Sequence, residues 1–158
     1  AGLVGSEMCI RDRLPEEYVV ELYGEKVLLM HGDSLCTDDI PYQQFRTMVR
    51  NPAWQKDFLS RPPEERLQIA LQARDASAEH KGHVSMDIMD VNQAEVISAF
   101  ERHGLERMIH GHTHRPATHT LQVNGQAAQR IVLGDWYEQG SVLRVSPNQY
   151  ELTILPAR

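Results

Sequence analysis

The chain has 158 residues, with 16 Lys and Arg against 22 Asp and Glu and a formal net charge of −6, which is room for one modest domain or part of a larger one. No run of Lys or Arg is long enough to follow a nucleic-acid backbone, so nucleic acid is not expected as a partner. The longest aliphatic stretch is far short of the roughly 20 apolar residues of a membrane span. Two cysteines, Cys9 and Cys36, without metal-type spacing, suit a reducing, cytoplasmic compartment better than a disulfide framework.

Residues 1–13 show no sustained period and lack the basic start, apolar core and cleavage site of a signal peptide. The stretch from Val4 to Arg13 reads like translated adapter sequence, and 1–13 is set aside as a non-native or disordered leader. The working domain is 14–158. Tyr18 to Leu22 and Val27 to Met30, around a Gly-containing connection, predict a β-hairpin whose second strand ends at His31. From about Thr37 to His103 the period is helical. Asp38 or Asp39 caps a helix carrying Tyr42, Phe45, Met48 and Val49, and Asn51-Pro52 breaks it. Trp54, Phe58 and Leu59 make a short apolar face up to Arg61-Pro62-Pro63. A third helix runs from Pro63 through Leu67, Ala70, Leu71 and Arg74, and Asn92 caps a fourth with Val96, Ile97 and Phe100 inward and Gly104 as its stop. Strands then return at Arg107 to His110, on both sides of Asn124-Gly125, and at Ser141 to Val145 and Tyr150 to Leu155 around Pro147-Asn148. Strand, helices, strands is the order of a layered α/β or α+β fold with a helical insertion.

The chemistry concentrates in two places: Met30-His31-Gly32-Asp33 at a strand end, and Ile109-His110-Gly111-His112-Thr113-His114-Arg115-Pro116. Neutral imidazoles suit transition ions such as Zn, Mn and Fe, whereas carboxylate-rich sets favour Mg or Ca. His112 and His114, two apart on an extended segment, can point the same way, with a bend at Gly111 letting each reach a different ion. A lone H-x-H is weak, but G-H-T-H-R-P combined with a strand-ending H-G-D indicates a metallohydrolase.

These two elements resemble the C-terminal half of the calcineurin-like metallophosphoesterases, whose pattern opens with D-x-H, G-D and G-N-H or G-N-R. Together with H-G-D-S-L-C-T-D-D at His31 to Asp39 and I-M-D-V-N-Q at Ile88 to Gln93, they resemble the branch that cleaves UDP-2,3-diacylglucosamine in lipid A biosynthesis, from about Leu14 to the C-terminus. The resemblance implies an α/β four-layer metallophosphoesterase sandwich, here without its N-terminal strands, and a helical lid at about 38–103. It implies that His31 and His112 ligate one ion and His114 the other of a dinuclear manganese (Mn2+) site, the other four ligands lying upstream of this chain. The implied reaction is hydrolysis of the pyrophosphate to UMP and 2,3-diacylglucosamine 1-phosphate by a metal-bound hydroxide, so the catalytic residue itself is unassigned. A peripheral place on the cytoplasmic face of the bacterial inner membrane is implied, and no protein partner. On this view the isolated chain binds at most one ion, weakly, and turns over little; the rivals are another metallophosphoesterase and a non-catalytic metal-binding piece.

Substrate contacts carried over from the resemblance are Asp39, Ser77, Lys81 and His112. Asp39 also reads as a helix cap, and Ser77 as a polar residue on a solvated face. The family usually has a Lys seven residues after that Ser; here the position is Val84, and the nearest Lys is Lys81. His110 reads as a strand-end histidine supporting the site. His80, His83, His103 and His119 read as surface residues, Asp33 as an orienting or turn residue, and Arg115 as a phosphate or local carboxylate partner. Phe45, Met48, Val49, Trp54, Phe58 and Leu59 read as the inner face of packed helices; the sharper alternative is an apolar groove beside Arg46, Arg50 and Lys56 that skims lipid headgroups.

Overall fold

Three neighbouring parallel strands, each with a buried stretch and all ending at the same edge, organise the sheet. The computed structural model describes residues 14–83, 88, 90–136 and 140–156, with side chains placed for all of these except 78–83. The proposed leader 1–13 lies outside the described residues. The chain divides into two compact units, one formed by residues up to 31 and from 100 onward, the other by Gly32–Ala99.

In the first unit, β1 (Glu17–Leu22) and β2 (Glu25–Met30) form the expected antiparallel hairpin. Its two-residue turn puts both Tyr23 (φ 53) and Gly24 (φ 84) in left-handed backbone, the mirror-image turn whose twist matches that of the strands. β3 (Arg107–His110) lies parallel to β2 and to β5 (Gln126–Val132), and β4 (Ala117–Val123) pairs antiparallel with β5 through the Asn124-Gly125 turn. The sheet order is β1-β2-β3-β5-β4. Burial follows the order: β3 and the second half of β5 are mostly buried, whereas the edge strands β1 and β4 are mostly exposed or half-buried. A separate hairpin, β6 (Gly140–Ser146) and β7 (Gln149–Leu155), brings Leu143, Tyr150 and Leu152 onto the sheet face of Val27, Ile109 and Ile131. The opposite face presents Leu28, Met108, His110, Arg130 and Val132, all buried. Arg107 ties strands at the rim, bonding Glu25 and Gln129 and stacking its guanidinium 3.9 Å over the Tyr150 ring.

The second unit holds a short 3-10 turn (Asp33–Leu35), α1 (Ile40–Arg50), α2 (Pro52–Ser60), α3 (Pro63–His83) and most of α4 (Gln93–His103). Of the two candidate caps Asp39 starts α1, its carboxylate accepting from Tyr42 N at 3.1 Å. Asn51 ends α1 and caps α2, followed by Pro52 at the first helical position. Asn92 caps α4 through Ala94 N and Glu95 N, and Gly104, at φ 61, closes it by donating to Phe100 O. The third helix runs 21 residues from Pro63 to His83, with no further Pro or Gly before Gly82. Among the described residues no helix is long and apolar enough to cross a membrane.

One expectation fails in this unit. The apolar stripe of α1 and α2 is not an inner face: neither helix contains a buried residue, and Phe45, Met48 and Leu59 are exposed. Trp54 and Phe58 stack on each other at 5.0 Å, one turn apart. Arg46 and Arg50 both bond Oδ2 of the buried Asp33 at 2.7 Å, and the Arg50 side chain remains 40% exposed.

Candidate metal centre

The site is assembled by strand ends. His31 follows β2, Gly111 to His114 follow β3, and Gly134-Asp135 follow β5, so three loops leave adjacent parallel strands at their carboxyl edge. Loops at that edge of an open sheet are where ligands bind in layered α/β proteins, since the strands fix their starting points while the side chains stay accessible. Two backbone bonds continue the ladder into the loops: Gly111 N donates to His31 O at 3.0 Å, and Leu133 N to His110 O at 2.8 Å.

The H-T-H segment is not extended as expected. His112 (φ 66) and His114 (φ 54) both adopt left-handed backbone, and Thr113 N donates to Gly111 O at 2.8 Å. The bend therefore lies at the histidines and not at Gly111, whose added Cβ would meet only His31 O at an ordinary 3.8 Å. Two non-glycine residues in this region within three positions cost about 1–3 kcal/mol each, a cost that clusters at binding sites.

The rings of His31 and His112 lie 5.0 Å apart, tilted by 56°. With metal–nitrogen bonds of about 2.1 Å, two imidazoles on one ion have centroids roughly 4.5 Å apart at a right angle and about 5.2 Å at the tetrahedral angle. The observed spacing falls within that range, so the two rings are as far apart as two imidazoles on one ion would be. His114 stands on the same loop, half exposed, with Nδ1 3.1 Å from Oδ2 of Asp135. Among the described residues no group of three or more His, Cys, Asp or Glu is arranged to hold an ion.

His110 is almost fully buried, with Nε2 3.0 Å from a guanidinium nitrogen of Arg130 and Nδ1 3.0 Å from Gly111 O. Arginine can only donate, so Nε2 accepts and Nδ1–H donates to the Gly111 carbonyl. A neutral imidazole thus braces the first peptide of the loop. Pro116 braces its end: a Cβ on Gly134 would approach Pro116 Cγ and Ser141 Oγ to 3.2 Å, and Gly134 N donates to that same Ser141 hydroxyl at 2.7 Å.

The other site residues belong to the second unit. Asp39 is buried as the α1 cap. Ser77 is exposed on α3, and Lys81 stands one turn further along that helix, its side chain outside the described set. The H-G-D-S-L-C-T-D-D and I-M-D-V-N-Q strings are stitched together here: Asn92 N donates to Leu35 O at 2.8 Å and the Asn92 amide to the Asp38 carboxylate at 2.9 Å. Asp33, left open between two roles, is the anchor of α1, through Arg46 and Arg50 and through Gln43 Nε2, which donates to Asp33 O and Cys36 O. The Tyr42 hydroxyl is pushed up to about 12, by burial first and by the Asp33 carboxylate second, and remains a donor at physiological pH. His103 is not a bare surface residue; with Arg102 it binds Glu17, at 2.7 and 2.6 Å. Residues 84–87, including Val84, lie outside the described residues.

Asp135 was missed in the sequence. Its signal was present, since Leu133-Gly134-Asp135 after β5 repeats the strand-Gly-Asp form of His31-Gly32-Asp33 after β2.

The chain is 54% identical over 149 residues to the UDP-2,3-diacylglucosamine hydrolase of Stenotrophomonas maltophilia (strain R551-3), 53% over 149 residues to that of Xanthomonas campestris pv. campestris (strain 8004), and 50% over 143 residues to that of Salmonella typhi. Each match covers 90% of this chain and 60% of the relative, so the chain spans about three-fifths of the curated relatives it matches. No protein-family model matches it. These relatives bear out the resemblance to the branch that cleaves UDP-2,3-diacylglucosamine, drawn from the histidine motifs together with the strings at His31 to Asp39 and Ile88 to Gln93.

Proposed function

We propose, with that relationship as the premise, that the protein carrying this chain is a metal-dependent pyrophosphatase that hydrolyses UDP-2,3-diacylglucosamine to UMP and 2,3-diacylglucosamine 1-phosphate in lipid A biosynthesis. The observation that carries this reading is identity of 50–54% to hydrolases of that name over nine-tenths of the chain. The geometry supports it, because the strand-end histidines are where such chemistry needs nitrogen donors, and the His31 and His112 rings have the spacing of co-ligands. In this reading His31 and His112 hold one manganese ion and His114 helps to hold the second. The chemistry such ions supply is neutralisation of phosphate charge and acidification of water. The chain's own part is to present imidazoles from a loop whose first peptide is braced by His110 and whose end is braced by Pro116.

The fold belonging to this reading is the four-layer metallophosphoesterase sandwich, with the helical segment 38–103 as its lid. That Gly32–Ala99 forms its own compact unit supports a lid. Asp39, Ser77 and Lys81 then contact the substrate from the lid, with Asp39 also capping α1. The exposed side chains of Phe45, Met48, Leu59, Leu67 and Leu71 suit acyl chains and a peripheral position at the cytoplasmic face of the inner membrane.

The test uses the whole protein. UMP release from UDP-2,3-diacylglucosamine should depend on Mn2+, exceed hydrolysis of an aryl phosphate, and fall by at least about a hundredfold in His112→Ala and His114→Ala. Equal rates on both substrates would favour a general phosphoesterase; unchanged activity in both variants would refute the metal assignment.

A further inference from the structure

The contact between His114 and Asp135 has a chemical direction. A carboxylate can only accept, so in the pair of Nδ1 and Oδ2 at 3.1 Å the proton sits on Nδ1. A neutral His114 ring held this way carries its lone pair on Nε2. Without such a partner, neutral imidazole in water favours the opposite form, with the proton on Nε2 and the lone pair on Nδ1. The acceptor is itself held in place: Asp135 follows Gly134, whose N–H is bonded to the buried Ser141 and where an added Cβ would crowd Pro116 and Ser141 at 3.2 Å. Pro116 also ends the loop that carries His114, so ring and carboxylate are positioned by one local structure.

We infer that Asp135 is the positioning residue for His114, fixing its tautomer and ring orientation so that Nε2 is the atom offered to a divalent transition ion. This rests on the reading of His114 as a ligand. Carboxylates that take the second N–H of a metal-binding imidazole fix the ring and raise its basicity, and their loss typically weakens metal binding by about 10–100-fold. The role differs from ligation: Asp135 acts through the ring and touches neither ion nor substrate.

Two measurements test it. Long-range ¹H–¹⁵N correlation spectra of the imidazole nitrogens, recorded without metal on the full chain, should show His114 protonated on Nδ1. In Asp135→Asn, which keeps the shape of the side chain but can donate as well as accept, and in Asp135→Ala, the population should move toward Nε2–H. A His114 ring protonated on Nε2 in the unaltered chain, or the same tautomer in all three proteins, would overturn the inference. The second measurement is Mn2+ affinity of the whole protein, read from the electron paramagnetic resonance of free Mn2+. Asp135→Ala should weaken binding by about 10–100-fold and His114→Ala by at least as much. Loss in His114→Ala but not in Asp135→Ala would remove the positioning role alone, whereas no loss in His114→Ala would remove the ligand assignment and the positioning role with it. Asp135→Asn carries both tests should the alanine variant fold poorly.

Discussion

The sheet unit and the first two helices of the helical unit are each held in place by different forces. In the sheet unit Val27, Ile109 and Ile131 lie under Leu143, Tyr150 and Leu152, and β3 and the second half of β5 are buried. In the helical unit α1 and α2 bury nothing, and what fixes their start is polar: Asp33 with two arginines, Gln43 on two carbonyls, and Asn92 on Asp38. A hydrophobic core resists deformation over its whole extent, whereas polar clamps fix only the points they join. The sheet unit is therefore suited to hold ligands at fixed spacing, and the helical unit to expose apolar side chains from a defined starting point.

Variants can break this contrast, beginning with the largest effect. Phe100→Ala removes one of the largest fully buried side chains and should cost about 3–5 kcal/mol, measured from the urea midpoint of the sheet unit. Asp33→Ala should cost about 3 kcal/mol by leaving Arg46 and Arg50 without their shared carboxylate, and hydrogen exchange should speed up first in α1. Gly32→Ala imposes a side chain at φ 103 and should cost at least about 1 kcal/mol; Gly111→Ala, with room and an ordinary φ, should stay within about 0.5 kcal/mol in the same denaturation assay. Leu59→Ser on exposed α2 should also fall within about 0.5 kcal/mol, where a like change at Ile131 would not.

The smallest effect is electrostatic. Burial alone would raise the Glu17 carboxyl, but hydrogen bonds from His103 and Arg102 and their charges outweigh it, and the group ends below its ordinary value of 4.5. A lowered folded value means that the stabilisation is complete above the unfolded value and is lost as pH falls through the folded one. Acid unfolding of Glu17→Gln should accordingly show a shallower loss of stability below about pH 4.5 than the unaltered chain.

What could be read from the sequence was local. The Asn-Gly turn, the Asn92 cap, the Gly104 stop and the strand ending at His31 each depend on a few adjacent residues, and each was found where expected. What could not be read was set by partners far along the chain. Glu17 and His103 are 86 residues apart and Asp33 and Arg50 are 17 apart, and neither pair leaves a periodic trace. The apolar spacing of Phe45, Met48 and Val49 announces an amphipathic helix equally well whether its stripe meets a core or solvent. The H-T-H loop was misread for a related reason: spacing of two suggests an extended strand, but the bracing by His110, Pro116 and Gly134 sets the backbone instead.

The left-handed backbone at His112 places binding and folding in opposition at a single residue. Glycine is indifferent to a φ of 66, so His112→Gly relieves the strain and should raise the melting temperature of the apo chain while deleting a donor nitrogen. Selection for stability alone would have put glycine there. If His112 is a ligand as proposed, melting curves of the variant with and without Mn2+ should cross: glycine ahead in the absence of metal, histidine ahead in its presence.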